Sequence, residues 1–382
     1  MGEMREKDDG EGMSGTREEL TGVPGLARLV VVDRTGSTND DLRSALTGVD
    51  GRLDLRAAAA WPHISARWAR RQDAGRGRAG RRWITPPGSA LTVSFVLRPL
   101  VPAAALAWLP LLAGLAARDV VDAILISARA PWRARTKWPN DVVLVPNERA
   151  GEGIAAGAST GAGTGGGAGA AAVPVPAEIP GWGRARKVAG VLAELIPTAG
   201  GIGARTSAGT TGTADASGAV AAGAADAPGA VGAAGAPGGG GAGGAVGADR
   251  GAACAVVLGI GVNTGQSESE LPVPWATSLR LAGARVEPRA LLEPLSARLD
   301  ELVTAWEAGE GDPDAGDGAL GAALRRACTT LGRRVRVDAP GGVLRGTAVD
   351  IAPGLVLRGA DGTMRTVDAG DVSHVRTDGA VD

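Results

Sequence analysis

The sequence predicts an α/β chain of the α+β type, with one sizeable core and a small β-barrel near its C-terminal end. Three observations carry this. Short apolar, strand-like runs recur from residue 26 to residue 262, bounded by Gly, Pro, Asn and Asp. Two longer segments, Ala105–Ala123 and Pro288–Trp306, repeat apolar residues at helical spacing instead. From Leu331 the pattern turns to short strands with Gly-rich turns, a barrel-like module of about 45 residues by the spacing of turn signals.

Taken in order, residues 1–25 are polar and acidic and read as a disordered tail. Leu26–Val32 is a short buried strand ending at Asp33. Ser37-Thr38-Asn39-Asp40-Asp41 opens a helix through Leu46, with capping residues first and acids in the first turn. Ala57–Arg70 holds a strand interrupted by Pro62. Leu91–Leu97 alternates and is rich in β-formers. Arg133–Trp138 and Val142–Val145 form a hairpin turning at Pro139-Asn140-Asp141. Lys187–Ile196 and Ala253–Val262 are the next strands. Leu291, Leu292, Leu295, Leu299, Leu302, Val303 and Trp306 line one helix face, and Ala319–Cys328 adds a short helix. Four strands close the chain: Val335–Val337, Gly346–Asp350, Leu355–Leu357 and Met364–Val367.

Residues 151–181 and 197–252 are dominated by Gly, Ala, Ser, Thr and Pro and read as low-complexity inserts, because they bury too little to offset the entropy of ordering. The organisation expected is a tail (1–25), a main domain (26–328) carrying both inserts, and a barrel (331–377). Net charge is −1 and the pI about 6.2, which argues against a basic field for non-specific nucleic-acid binding. Cys254 and Cys328 offer neither a disulfide framework nor a metal spacing and point to a reducing cytoplasm. The longest apolar stretch, Leu106–Ala117, is too short to span a bilayer, so no membrane association is expected. Nothing in the sequence speaks to oligomeric state.

The densest motif runs from Gln72 to Trp83. Three glycines and four arginines fall within Gly75–Trp83. Glycine raises the entropy lost on ordering, and the guanidinium groups repel one another. An anion matching their forked geometry would order the loop. Only three of the 40 basic residues are lysines, yet two of these, Lys137 and Lys187, fall in motif-like segments. So do Asn39, Asn140 and Asn263. A compact ammonium in so arginine-rich a chain points to a site that needs one.

Each segment alone has a plain reading: a solvated or RNA-binding loop, an Asn-Asp turn, a strand-end lysine, an incomplete Gly-x-Gly. There is no Walker A loop, and two histidines outside any motif (His63, His374) make a serine–histidine triad improbable. Order and co-occurrence say more. Ser-Thr-Asn, then Gln-x-x-Gly-Arg-Gly-Arg-x-Gly-Arg-x-Trp, Lys-Trp-Pro-Asn-Asp, Lys-x-x-Gly-Val-Leu-x-Glu and Gly-Ile-Gly-x-Asn, with a β-module last, resembles the biotin–protein ligases. The resemblance covers most of residues 26–377 outside the inserts.

The resemblance implies a mixed sheet flanked by helices, of the class II synthetase-like biotin/lipoate ligase type, and an SH3-like barrel. It implies coupling of biotin to ATP, with Mg²⁺, giving biotinyl-5′-AMP, then transfer to a lysine of a biotin carboxyl carrier domain of a carboxylase. Arg76 and Arg78 would close over the adenylate, with Gly75 and Gly77 bringing backbone N–H groups near phosphate. Lys187 would bridge the biotin carboxylate and the α-phosphate. Ser37, Thr38, Asn39 and Gln72 would hold the ureido end and neighbouring groups. Gly259 and Gly261 would leave room against the sheet, with Trp83, Lys137, Asn140 and Asn263 as secondary contributors. No metal-ligand set is readable. About 25 polar residues precede the first strand, so the sequence predicts no helix-turn-helix and no sequence-specific DNA binding. A lipoate or octanoate ligase of the same fold, a non-catalytic biotin or nucleotide sensor, and an RNA-binding protein are the rival readings.

Overall fold

A computed structural model describes residues 4–6, 17–83, 85–147, 176–198 and 254–374. Its centre is a nine-stranded mixed sheet. The strands are β1 (Met4–Glu6), β2 (Arg17–Leu20), β3 (Arg28–Thr35), β4 (Ser65–Gln72), β7 (Ala90–Leu97), β8 (Trp132–Lys137), β9 (Asp141–Pro146), β10 (Arg186–Pro197) and β11 (Cys254–Asn263). They lie in the order β1-β2-β3-β4-β7-β11-β10-β9-β8. Only β3 and β4 pair in parallel; every other neighbour is antiparallel. A short ladder, β5 (Gly75–Arg76) with β6 (Arg82–Trp83), folds the arginine loop on itself.

Helices cover both faces, which is why β7 is buried along its whole length. On one side α3 (Leu109–Ser127) and α4 (Leu292–Ala308) pack on Leu29, Val31, Trp68, Val93 and Phe95. On the other, α1 (Thr38–Leu46) and α2 (Leu55–Ala59) cover Val30, Val32, Ala69 and Val257. The first core continues through α5 (Ala319–Ala327) into a five-stranded barrel. Its strands are β12 (Arg334–Ala339), β13 (Gly342–Ile351), β14 (Leu355–Arg358), β15 (Met364–Val367) and β16 (Asp371–His374), in the order β15-β14-β13-β12-β16.

Three expectations change. Residues 55–59 form a helical turn instead of the start of a strand. Asp54 caps it by accepting the Arg56 and Ala57 N–H groups at 2.8 and 3.3 Å, and the strand begins only at Ser65, past Pro62. The barrel has a fifth strand, Asp371–His374, too short and polar to stand out by pattern. The polar leader does not run unbroken to residue 25: Arg17–Leu20 pairs with β3, and Glu19 meets Arg28 at 3.0 Å. The rest of that expected tail lies mostly outside the described residues. So does most of both inserts, although Ile179 is already bridged to Gly183 and Pro197 is still paired with Cys254. No helix among the described residues is long and apolar enough to cross a membrane.

Candidate active site

The site sits where the N-terminus of α1, the arginine loop and the β8–β9 hairpin meet over β10 and β11. Ser37 caps α1, accepting the Asp40 N–H at 3.3 Å, and this sets Thr38 and Asn39 against the sheet. The Gln72 side-chain carbonyl accepts from the Thr38 N–H at 2.9 Å and its hydroxyl at 3.2 Å. Ser94, on β7, lies 2.7 Å from the Thr38 hydroxyl and donates to Asn39 Oδ1 at 2.6 Å. Asn39 Nδ2 donates to Glu194 at 2.7 Å. Ser37, Thr38, Asn39 and Gln72 are all buried, so this neutral network is fixed rather than solvated.

The glycines explain the floor. Gly190 and Gly261 are direct cross-strand partners on β10 and β11. A Cβ on Gly261 would come within 2.6–2.8 Å of the Trp83 indole, and one on Gly190 would meet Lys187 Nζ at 3.2 Å and the indole at 3.4 Å. Two bare backbone stretches therefore let an aromatic ring lie flat on the sheet. Gly259 serves Asn39 similarly: its Cβ would overlap the carboxamide, 3.1 Å from Cγ. The room expected for a ligand at Gly259 and Gly261 is taken by this chain's own Asn39 and Trp83. Gly75 is also obligatory, because a Cβ would reach within 2.6 Å of the Trp83 carbonyl.

Charge converges at one end of this floor. Lys187 Nζ lies 2.5 Å from Asp141 and 5.7 Å from the centroid of Trp83. Lys137 is 5% exposed; its ammonium donates to the Val372 carbonyl at 2.5 Å and faces the Trp182 ring at 4.3 Å. Burial pushes the Lys137 pKa down, Asp141 opposes this, and Lys187 adds to it. Arg78 donates to Asn140 at 3.4 Å; burial lowers its pKa too, against the pull of Asp371 and Asp141. Arg81 pairs with Asp371, and Arg76 with Asp40 and Glu194. Around Lys187, four cations (Lys137, Lys187, Arg78, Arg81) face two carboxylates (Asp141, Asp371). The excess is positive, as a site for an anion requires.

The structure thus gathers Ser37, Thr38, Asn39, Gln72, Gly75, Trp83, Lys187, Gly259 and Gly261 into one contiguous site. Arg76 and Arg78 approach it from the loop, while Gly77 stays on its outer turn, its N–H bonded to the Arg81 carbonyl. Asn140 is a strut, exchanging hydrogen bonds with Val191. Asn263 is turned toward the Thr277 carbonyl and Gln266, at 2.9 Å each. Sequence reasoning passed over Asp141, Glu194, Ser94, Gly190 and the stacked pair Trp182–Trp275, whose centroids are 5.8 Å apart. Asp141 stood inside a motif and was treated as a turn residue. Its signal is a carboxylate four positions after a scarce lysine, Lys137, inside the same motif.

Comparison with known proteins bears on this architecture. The biotin/lipoate A/B protein ligase family profile matches residues 52–206, and the biotin protein ligase C terminal domain profile matches 330–375. The biotin–[acetyl-CoA-carboxylase] ligase of Mycobacterium tuberculosis is 28% identical over 368 residues, 94% of each chain. That of Paracoccus denitrificans is 38% identical over 118 residues, 31% of this chain and 42% of the relative. The biotin protein ligase of Aquifex aeolicus, solved in complex with biotin and ATP, superposes with a TM-score of 0.51 at 18% identity, covering 91% of this chain and 99% of that one, which shows the shared fold. The first profile falls on the main domain and the second on the barrel, so both parts of this architecture resemble biotin protein ligases.

Proposed function

We propose that this chain is a biotin–protein ligase, activating biotin with ATP and transferring it to a protein lysine. The observation that carries the reading is the cation-rich end of the glycine floor, centred on Lys187. The reaction brings two anions together, a carboxylate and a triphosphate, and that is unfavourable without fixed positive charge. A carboxylate oxygen of biotin attacks the α-phosphorus, the bond to the β-phosphate breaks, and pyrophosphate leaves. The acceptor ε-amine then attacks the acyl carbon, an amide forms, and AMP departs.

In this reading Lys187 exchanges Asp141 for the biotin carboxylate and the α-phosphate, or shares itself between them. Arg76 and Arg78 turn from their resting partners to the phosphates. The buried Thr38–Gln72–Ser94–Asn39 network offers neutral donors and acceptors beside the floor, the chemistry a ureido group needs. Trp83 carries an indole N–H with no partner among the described residues, a donor free for the ligand. Among the described residues no three His, Cys, Asp or Glu side chains converge as a metal cage. Mg²⁺ would enter on the triphosphate, as an ion that keeps several waters and needs few protein ligands. The acceptor is a biotin carboxyl carrier domain of a carboxylase, and we place the reaction in the cytoplasm, where the buried thiols of Cys254 and Cys328 stay reduced.

The test is biotin-dependent ATP–pyrophosphate exchange. Wild type exchanges, and Lys187→Ala loses about 10²–10³-fold, the usual effect of removing one group that stabilises developing charge. No exchange with biotin, alongside exchange with lipoate or octanoate, would move the chain to the sister branch.

A further inference from the structure

We infer that the outward face of the C-terminal barrel is the docking surface for the acceptor protein, and that this partner presents carboxylates to it. This rests on the ligase reading and deepens it. In β12, Arg334 and Arg336 alternate with the buried Val335 and Val337, so both arginines point outward. Directly paired residues share a face of the sheet. Arg336 lies between Ser373 of β16 and Arg345 of β13. Arg334 lies opposite Thr347, Thr347 opposite Arg358, and Arg358 opposite Met364. The result is one continuous exposed surface bearing four arginines, with Met364 at its far side.

The carboxylates that share this face are already engaged: Asp338 by Arg336, Asp350 by Arg325 and Asp371 by Arg81. Arg336 is paired with Asp338 at 2.7 Å, but Arg334, Arg345 and Arg358 form no ion pair among the described residues, and all three are exposed. Arg336 and Arg345 are like charges placed directly opposite, an arrangement that weakens a sheet. A sheet face that concentrates positive charge in a chain of net charge −1 is complementary to an acidic partner. The exposed apolar Met364 (58%) and Val343 (50%) suit a protein surface better than a polyphosphate backbone.

Position ties the surface to the reaction. Asp371, outward on β16 and paired with Asp338, holds Arg81 of the arginine loop. The adjacent Val372 carbonyl accepts from Lys137. The face therefore begins at the rim of the site and extends three strand spacings to β14, about 15 Å. A partner seated there has its near edge beside the loop that covers the adenylate, where its lysine must arrive.

The variants are Arg345→Glu/Arg358→Glu and the milder Arg345→Gln/Arg358→Gln, with an acidic biotin-accepting domain of an acetyl-CoA carboxylase as probe. Exchange, and biotinyl hydroxamate formation with hydroxylamine, need no docking and stay at the wild-type level in both. The KM for the domain rises about tenfold or more in the Glu variant, less in the Gln variant, and its salt dependence flattens. Calorimetric titration of the unbiotinylated domain shows the same loss of affinity without turnover. A KM and an affinity within about twofold of wild type overturn the proposal. So does a surface that binds an RNA oligonucleotide in the titration and not the domain. Failure of wild-type exchange overturns the ligase reading instead, and the titration still decides the surface.

Discussion

The arginine loop and the Lys-Trp-Pro-Asn-Asp hairpin are equally conspicuous as motifs and physically opposite as structures. The loop is attached from outside: Arg76 and Arg81 have side chains 44% and 59% exposed and are tied to Asp40, Glu194 and Asp371 by surface ion pairs. Such pairs contribute no more than about 1 kcal/mol each and are screened by salt. The hairpin is attached from inside. Trp138 is 3% exposed, its backbone N–H donates to Thr330 at 3.1 Å, and its indole N–H donates to the Pro353 carbonyl at 3.3 Å. With Lys137 bound to Val372, one short turn joins the main sheet to the barrel. One motif is a cover that can leave; the other is the joint that keeps the site's two walls in register.

The sharpest way to break this contrast is to cut the joint. Trp138→Ala removes a buried ring and its indole hydrogen bond to Pro353, leaving the backbone bond to Thr330, and is expected to cost about 3–5 kcal/mol in urea unfolding. A cost below about 1 kcal/mol, the range of ordinary surface changes, would mean that the hairpin is no joint.

Acid reaches the same region next. His374, on β16, has its pKa pushed down to about 4 by burial, then by the charges of Lys137 and Arg333. The unfolded chain takes up this proton below 6.5 and the folded chain refuses it until about 4. Stability is therefore complete above 6.5, falls as pH drops through that window, and loses up to about 3 kcal/mol. His374→Asn should flatten this slope in pH-dependent melts; an unchanged slope would place the acid sensitivity elsewhere.

On the loop side the effects are smaller in stability and larger in mobility. Gly261→Ala drives a methyl into the Trp83 indole, which must lift. Cleavage by trypsin within residues 73–83 is expected to quicken several-fold while global stability stays within about 1 kcal/mol. Biotin with ATP should slow that cleavage in wild type and not in the variant. Unchanged cleavage of the free variant would show that Trp83 does not anchor the loop. The smallest effect belongs to Arg81→Gln, which releases the loop from the barrel for less than about 1 kcal/mol. Asp371→Asn should match it, and the double variant should add nothing; full additivity in a double-mutant cycle would mean that the two do not act as a pair.

Local chemistry was legible in the sequence where the physics is local. Ser37 and the acids after it announced the start of α1, Leu291–Trp306 announced a helix by its apolar face, and the alternation of β7 announced a strand. The turn signals of the barrel located four of its five strands. Asp371–His374 escaped because its pairing with β12, not its own composition, makes it a strand. Residues 55–59 escaped because a cap and a following proline outweighed the extended reading of an alanine run.

The candidate site shows the same division. Composition alone exposed the arginine loop and the scarcity of lysine, since both are departures from the chain's own habits. The sequence could not say that Asp141 neutralises Lys187 or that Gly190 and Gly261 face one another beneath Trp83. Nor could it say that Lys137 spends its charge on a barrel carbonyl 235 residues away. Those are consequences of register and of which strand lies beside which. Residue type determines what a group can do; only the tertiary arrangement decides which groups are left free to do it, because pairing and burial consume charges and hydrogen bonds that are far apart along the chain.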